Sequence, residues 1–193
     1  MRGFRITFSA IIMACLLLSG CGMFVKNADA ATVNTDDSTS EETPDNSLQV
    51  ALVATPTEAD ILVNGEAISF DSYNILDHNY FKLRDIAYAI NGSEQQFGVR
   101  WDGSKNAIIL KSQTAYTSVG GEMGSNSFGA KTPTPTSSKL YLDNKEITLT
   151  AYNIDGNNYF KLRDIGKTFD FSVEWDGQQN AILIDTGRGY TDE

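Results

Sequence analysis

The side chains with the most chemistry to offer occur in pairs. Trp101 and Trp175 each open a Trp-Asp-Gly tripeptide, Tyr80 and Tyr159 each stand in Asn-Tyr-Phe-Lys, and Arg84 and Arg163 each follow Lys-Leu. Aromatic rings fit the apolar faces of sugars while keeping a polar edge. These six residues are therefore the candidates for a ligand contact made once per copy. Each also has a structural use, which is the commoner one. A Trp before an Asp-Gly turn packs over a neighbouring helix. Asp85 and Asp164, at a helix start, favour the helix dipole. Lys82, Arg84, Lys161 and Arg163 would then cover a sheet edge, where ion pairs contribute little.

Catalytic chemistry finds little support. The one histidine, His78, has Asn157 as its counterpart, and the two cysteines, Cys15 and Cys21, lie outside the repeated sequence. Gly-x-Ser-x-Gly and Gly-rich phosphate loops are absent from the sequence. Carboxylates are plentiful, but nothing in the sequence pairs two of them, and units this small rarely supply the cleft that sets a glycosidase's two carboxyls at a defined distance. The stretches 102–106 and 176–180 faintly suggest calcium loops, yet lack the alternating acids and terminal Glu. They read as hairpin turns. The expectation is a protein that is not an enzyme and holds neither metal nor cofactor. Acidic residues outnumber basic ones by 25 to 15, for a net charge of −10. That charge argues against nucleic acid, whose affinity rests on phosphate neutralisation, and favours solubility.

The positioning elements come from a duplication. The octapeptide Asn-Tyr-Phe-Lys-Leu-Arg-Asp-Ile occurs at 79–86 and again, unchanged, 79 residues later at 158–165. Tyr-Asn-Ile precedes both copies, and Trp-Asp-Gly and Asn-Ala-Ile follow both. From Trp-Asp-Gly onward the offset falls to 74, so the first copy carries five extra residues, near 92–96. Such self-similarity governs the reading of everything else.

Each copy reads as hairpin, short strand, helix, hairpin. In the first, Ile61, Val63, Ile68 and Phe70 alternate around Asn64-Gly65, which suits a type I′ turn. A strand at 73–75 and Tyr80-Phe81 flank a polar loop at 76–79. Leu83, Ile86, Ala87 and Ile90 then form one helical stripe, with Asn91-Gly92 as its stop. Strands at 97–101 and 107–110 make the second hairpin. In the second copy the helix stripe is Leu162, Ile165, Gly166 and Phe169. The expected fold is α+β: two tandem small units, each an antiparallel β-sheet of two hairpins plus a short strand packed on one α-helix. At this size each unit is marginal alone.

The remaining segments read as follows. Residues 1–20 have the basic start and short apolar run of a signal peptide. They end in Leu-Ser-Gly-Cys, which resembles a bacterial lipobox and implies lipidation of Cys21 and a membrane anchor. The rival is cleavage after Ala30, which gives a secreted protein. Residues 21–56 read as a disordered polar tether, 57–117 as the first unit, 118–138 as a Gly/Ser/Pro-Thr linker, and 139–193 as the second unit.

The repeated pattern, from Val-Asn-Gly through Asn-Tyr-Phe-Lys-Leu-Arg-Asp-Ile to Trp-Asp-Gly and Asn-Ala-Ile, resembles the copper amine oxidase N-terminal-like, or stalk, domain. The resemblance covers both copies. It implies an extracellular, non-catalytic α+β module serving as a spacer or accessory domain. An envelope protein is then the expected partner; the alternative, a cell-wall glycan, rests on Trp101 and Trp175. The copper chemistry does not carry over: with His78 alone, a cluster of histidine ligands cannot be built. No copper is expected. The sequence leaves oligomeric state, and exchange of strands between the copies, open.

Overall fold

The computed structural model describes residues 51–124 and 129–192. The expected signal peptide, Cys21, the alternative cleavage point after Ala30 and most of the expected tether lie outside the described residues.

Asn64 and Gly65 both hold positive φ, as the type I′ turn requires, and join β2 (Asp60–Val63) to β3 (Glu66–Ala67). The polar loop expected at 76–79 is instead a second tight hairpin. Leu76 and Asp77 hold positive φ between β4 (Ser72–Ile75) and β5 (His78–Lys82). Then come α1 (Leu83–Ala89) and the third hairpin, β6 (Phe97–Asp102) with β7 (Ala107–Ser112). The second copy repeats this with β9 (Lys139–Leu142), β10 (Lys145–Ile147), β11 (Ala151–Ile154), β12 (Asn157–Lys161), α2 (Leu162–Phe169), β13 (Ser172–Asp176) and β14 (Ala181–Asp185). Two short strands, β1 (Thr55–Pro56) and β8 (Thr134–Pro135), precede the copies.

The strands do not form two tandem units. A six-stranded sheet in the order β1-β4-β5-β12-β11-β8 runs through both copies. At its centre β5 pairs antiparallel with β12, Phe81 opposite Phe160, with Tyr159 opposite Lys82 and Lys161 opposite Tyr80. Phe81 and Phe160 are equivalent residues, so the duplication behaves as a local two-fold relation through this pair. The outer sheets are exchanged too. The last hairpin of the first copy joins the first hairpin of the second, as β10-β9-β7-β6, and the reciprocal sheet is β13-β14-β2-β3. The joints β7–β9 and β14–β2 are parallel.

The expected α+β pair of tandem units is therefore corrected to a mostly β body of three sheets, each built from both copies. The helices are short, of seven and eight residues. The physical reason is size. A copy of this length cannot enclose its own apolar face, and an equivalent face is tethered close by. One buried cluster accordingly mixes Ile61, Ile86 and Leu110 with Leu140, Ile165 and Ile184. Phe97 of β6 stacks on Phe169 of α2, with ring centroids 3.7 Å apart.

Two segments read as tether and linker belong to the fold. Ala54 is buried and exchanges backbone hydrogen bonds with Lys131. The Thr57 hydroxyl donates to Asn79 Oδ1 at 3.3 Å, and the Thr136 hydroxyl to Asn158 Oδ1 at 2.8 Å. The asparagine that opens each octapeptide is thus a clamp on the strand before it. Glu122 likewise ties the chain after the first copy, accepting from the Tyr116 and Ser118 hydroxyls and from the amides of Val119 and Gly120. The Tyr116 hydroxyl above all, with the Ser118 hydroxyl and the Val119 amide, holds its carboxyl down at about 2.

Candidate functional site

Strand alternation puts Phe97, Val99 and Trp101 on one face of β6. Phe97 is fully buried, whereas Trp101 is 53% exposed. In β13 the pattern repeats from buried Val173 to Trp175, which is 51% exposed. Each indole thus continues the core face past its buried part. The expectation that these residues are core or partly core meets side chains of which about half the surface is exposed. Opposite them across the hairpins stand Ile108 and Ile182. The glycine of each Trp-Asp-Gly makes room for its own tryptophan. A Cβ on Gly103 would come 3.2 Å from Trp101 Nε1, and one on Gly177 would come 3.4 Å from Trp175 Nε1.

Each indole walls a groove. The groove of Trp101 encloses about 600 Å³, that of Trp175 about 340 Å³. Both are made to one plan. The start of the helix supplies Lys82, Leu83 and Arg84 to one, and Lys161, Leu162 and Arg163 to the other. The facing wall is the β-turn of the opposite copy: Gly156, Asn157 and Asn158 for Trp101, and Asp77, His78 and Asn79 for Trp175. Neither groove would exist within a single copy. The pairing of β5 with β12 sets the opposite copy's turn against Trp101 and Arg84, and against Trp175 and Arg163, and so completes each concave surface.

Tyr80 and Tyr159 take no part in either groove. They are 3% and 2% exposed and belong to a separate buried cluster. Tyr80 meets Tyr152 edge-on at 5.3 Å between centroids, and Tyr159 meets Tyr73 at 5.2 Å. Burial, with Tyr152 adding to it, pushes the Tyr80 hydroxyl up to about 12. Burial also raises Tyr159, whose hydroxyl donates to Asp71 Oδ2 at 2.8 Å. Their place among the candidate ligand contacts is withdrawn. A tyrosine beside a polar turn reads as exposed only while that turn is taken for a loop; as a paired strand residue it faces the core.

The repeated Lys-Leu-Arg-Asp serves different ends in the two copies. Lys82 is buried and pairs with Asp71 at 2.6 Å, with Asp85 farther off at 4.0 Å. Asp85 accepts the Met123 amide at 3.2 Å, and burial holds its carboxyl above the usual range. In the second copy Asp71 is replaced by Thr150, whose amide donates to Asp164 Oδ2 at 3.0 Å. Lys161 and Arg163 are half-buried there, whereas Arg84 is exposed.

The two Asp-Gly turns close on themselves. Asp102 accepts the Ser104 hydroxyl, and Asp176 accepts the Gln178 and Gln179 amides. Among the described residues no cluster of three His, Cys, Asp or Glu side chains could hold a metal ion. The sequence reading missed Asn157, Asn158, Asp77 and His78 as groove walls. A signal was present in the repeated Tyr-Asn-Ile and Asn-Tyr, whose short spacing is that of a hairpin. The chain matches no family model, no curated protein and no solved structure.

Proposed function

We propose that this chain is a non-catalytic saccharide-binding module of the cell envelope, with one groove per copy. The observation that carries the reading is the exposure of both indoles, each on the wall of a concave surface that also holds an arginine. A half-exposed Trp beside donors and acceptors suits a sugar ring, which needs stacking on one face and hydrogen bonds at its rim. Asn157, Asn158, Asn79 and His78 offer such groups. Small-ligand sites commonly combine an apolar wall with a few fixed polar groups.

The wider setting rests on the sequence. A leader ending at Cys21 would anchor the protein to a membrane, and cleavage after Ala30 would release it; both are extracytoplasmic. The resemblance to stalk domains supports a spacer role alongside binding.

The test is a titration of residues 22–193 with soluble peptidoglycan fragments and common polysaccharides, read by tryptophan emission. A saturable shift is expected. Replacing both rings, Trp101→Ala with Trp175→Ala, should weaken binding measured calorimetrically by about tenfold or more, the scale of one aromatic contact. Emission and heat that ignore every saccharide would sink the reading.

A further inference from the structure

The two grooves share a plan but not a charge. The groove of Trp101 is bordered by Lys82, Arg84 and Arg100, and among the described residues no carboxylate borders it. Lys82 is matched by Asp71 beneath. Strand alternation turns the Arg100 side chain to the face opposite Trp101. That leaves Arg84, exposed on the second residue of α1, as the cation presented to a ligand. The facing turn, Gly156-Asn157-Asn158, is neutral. In the groove of Trp175 the equivalent turn is Asp77-His78-Asn79, so an exposed carboxylate stands where the other groove has Gly156. Glu174 also borders that groove, although its carboxylate meets Arg188 and Ser172. In a chain of net charge −10, a concave surface with cations and, among the described residues, no acid on its wall is a selective feature.

We infer that the groove of Trp101 takes a carboxylated sugar, with the ring stacked on Trp101 and its carboxylate on the Arg84 guanidinium. The inference rests on the saccharide reading above and adds the class of sugar. Guanidinium and carboxylate match as planar forks, forming two parallel N–H···O bonds. The groove of Trp175 also carries Lys161 and Arg163, but there the exposed Asp77 stands on the facing turn, so its preference for carboxylate is weaker. The two sites of one module thus differ in how strongly they favour an acidic sugar.

The experiment uses Trp175→Phe, which leaves Trp101 as the chain's one tryptophan. It is titrated with oligogalacturonate, with the carboxyl-reduced, uncharged form of the same oligosaccharide, and with a muramic-acid disaccharide. Oligogalacturonate or the muramic-acid sugar should move the emission and bind about tenfold more tightly than the reduced form, the scale of a charge-assisted hydrogen bond. Whichever of the two binds names the source of the carboxylate. Arg84→Gln and Arg84→Lys, both at an exposed position, should weaken binding of that sugar and leave the reduced form unchanged, Gln more than Lys. Equal binding of charged and reduced forms, indifferent to Arg84→Gln, would overturn the carboxylate inference and leave the saccharide reading intact. If no sugar moves either Trp175→Phe or Trp101→Phe, both fall together.

Discussion

At the scale of single residues, the two copies act as internal controls for one another. Leu76 and Asp155 hold the same first position of the β4–β5 and β11–β12 turns, both with positive φ. Asp tolerates the left-handed region through local hydrogen bonds, whereas Leu carries the full steric cost of its Cβ, and here the side chain is also 71% exposed. Leu76→Asn should therefore raise unfolding stability by about 1 kcal/mol, measured in urea. No gain would mean that the leucine side chain finds packing that offsets the strain. Asp85 makes a second case, through pH. Its carboxyl is held above its ordinary value of 3.8, burial outweighing the help of Lys82 and the Met123 amide. The folded state thus binds this proton more tightly than the unfolded chain does. Stability from Asp85 is complete below the ordinary value and is lost as pH rises through the raised one. Asp85→Asn keeps an oxygen for the Met123 amide and removes the titration. Its stability relative to the parent should improve between pH 3.5 and pH 7, values about the ordinary carboxylate pKa and well above it. The same difference at both pH values would show that the site does not titrate with folding.

At the scale of elements, the helices and the first and last hairpin of each copy were legible in the sequence because their signals are local, whereas the middle hairpin was hidden in what reads as a polar loop. The stripe of Leu162, Ile165, Gly166 and Phe169 is buried along α2 as the period demands. The five additional residues of the first copy fall in the turn between α1 and β6. The paired tails also have a reason: the Tyr116 amide donates to Asn91 and the Tyr190 amide to Asp170, each just past its helix. Thr-Pro-Thr at 55–57 and 134–136 is a repeat at the same offset of 79, yet composition places Thr55-Pro56 in the tether and 134–136 in the linker. Its proline masked it, since Pro suits an extended linker as well as the short sheet-edge strand it forms here. One element is packed to its limit. A Cβ on Gly166 would meet Val173 Cγ2 at 2.8 Å and the Phe171 carbonyl at 3.0 Å, whereas Ala87 fills the equivalent place in α1. Gly166→Ala gains about 1 kcal/mol of helix propensity but overpacks by about 1–3 kcal/mol. A net loss in urea midpoint is expected. Ala87→Gly should also lose stability, by about 1 kcal/mol, through propensity alone. A stabilised Gly166→Ala would show that α2 shifts freely over β13.

At the scale of the whole molecule, the exchange of strands was not legible, and the reason is the duplication itself. Apolar periodicity says which face of a strand is buried, not against which copy. Because the two copies share one pattern, β7 meets an equivalent partner in β2 or β9, and β5 and β12 present one sequence to each other. What decides is reach and the gain from closing one shared core in place of two marginal ones. The grooves inherit this: each takes its tryptophan and arginine from one copy and its facing turn from the other. A single copy is therefore an incomplete molecule. Residues 47–124 alone would leave β2 without β14 and β7 without β9, and would expose the Phe81 edge of β5. Such a fragment should be unfolded when dilute and should fold only as a dimer, pairing β5 with its own copy across Phe81. Its helical and sheet signal would then grow with concentration, as mass action requires when folding and association are one event. Sedimentation with circular dichroism across a range of concentrations checks this directly. A fragment that is folded and monomeric at every concentration would mean that one copy can close its own core, and that the exchange seen here is a choice of partner rather than a necessity.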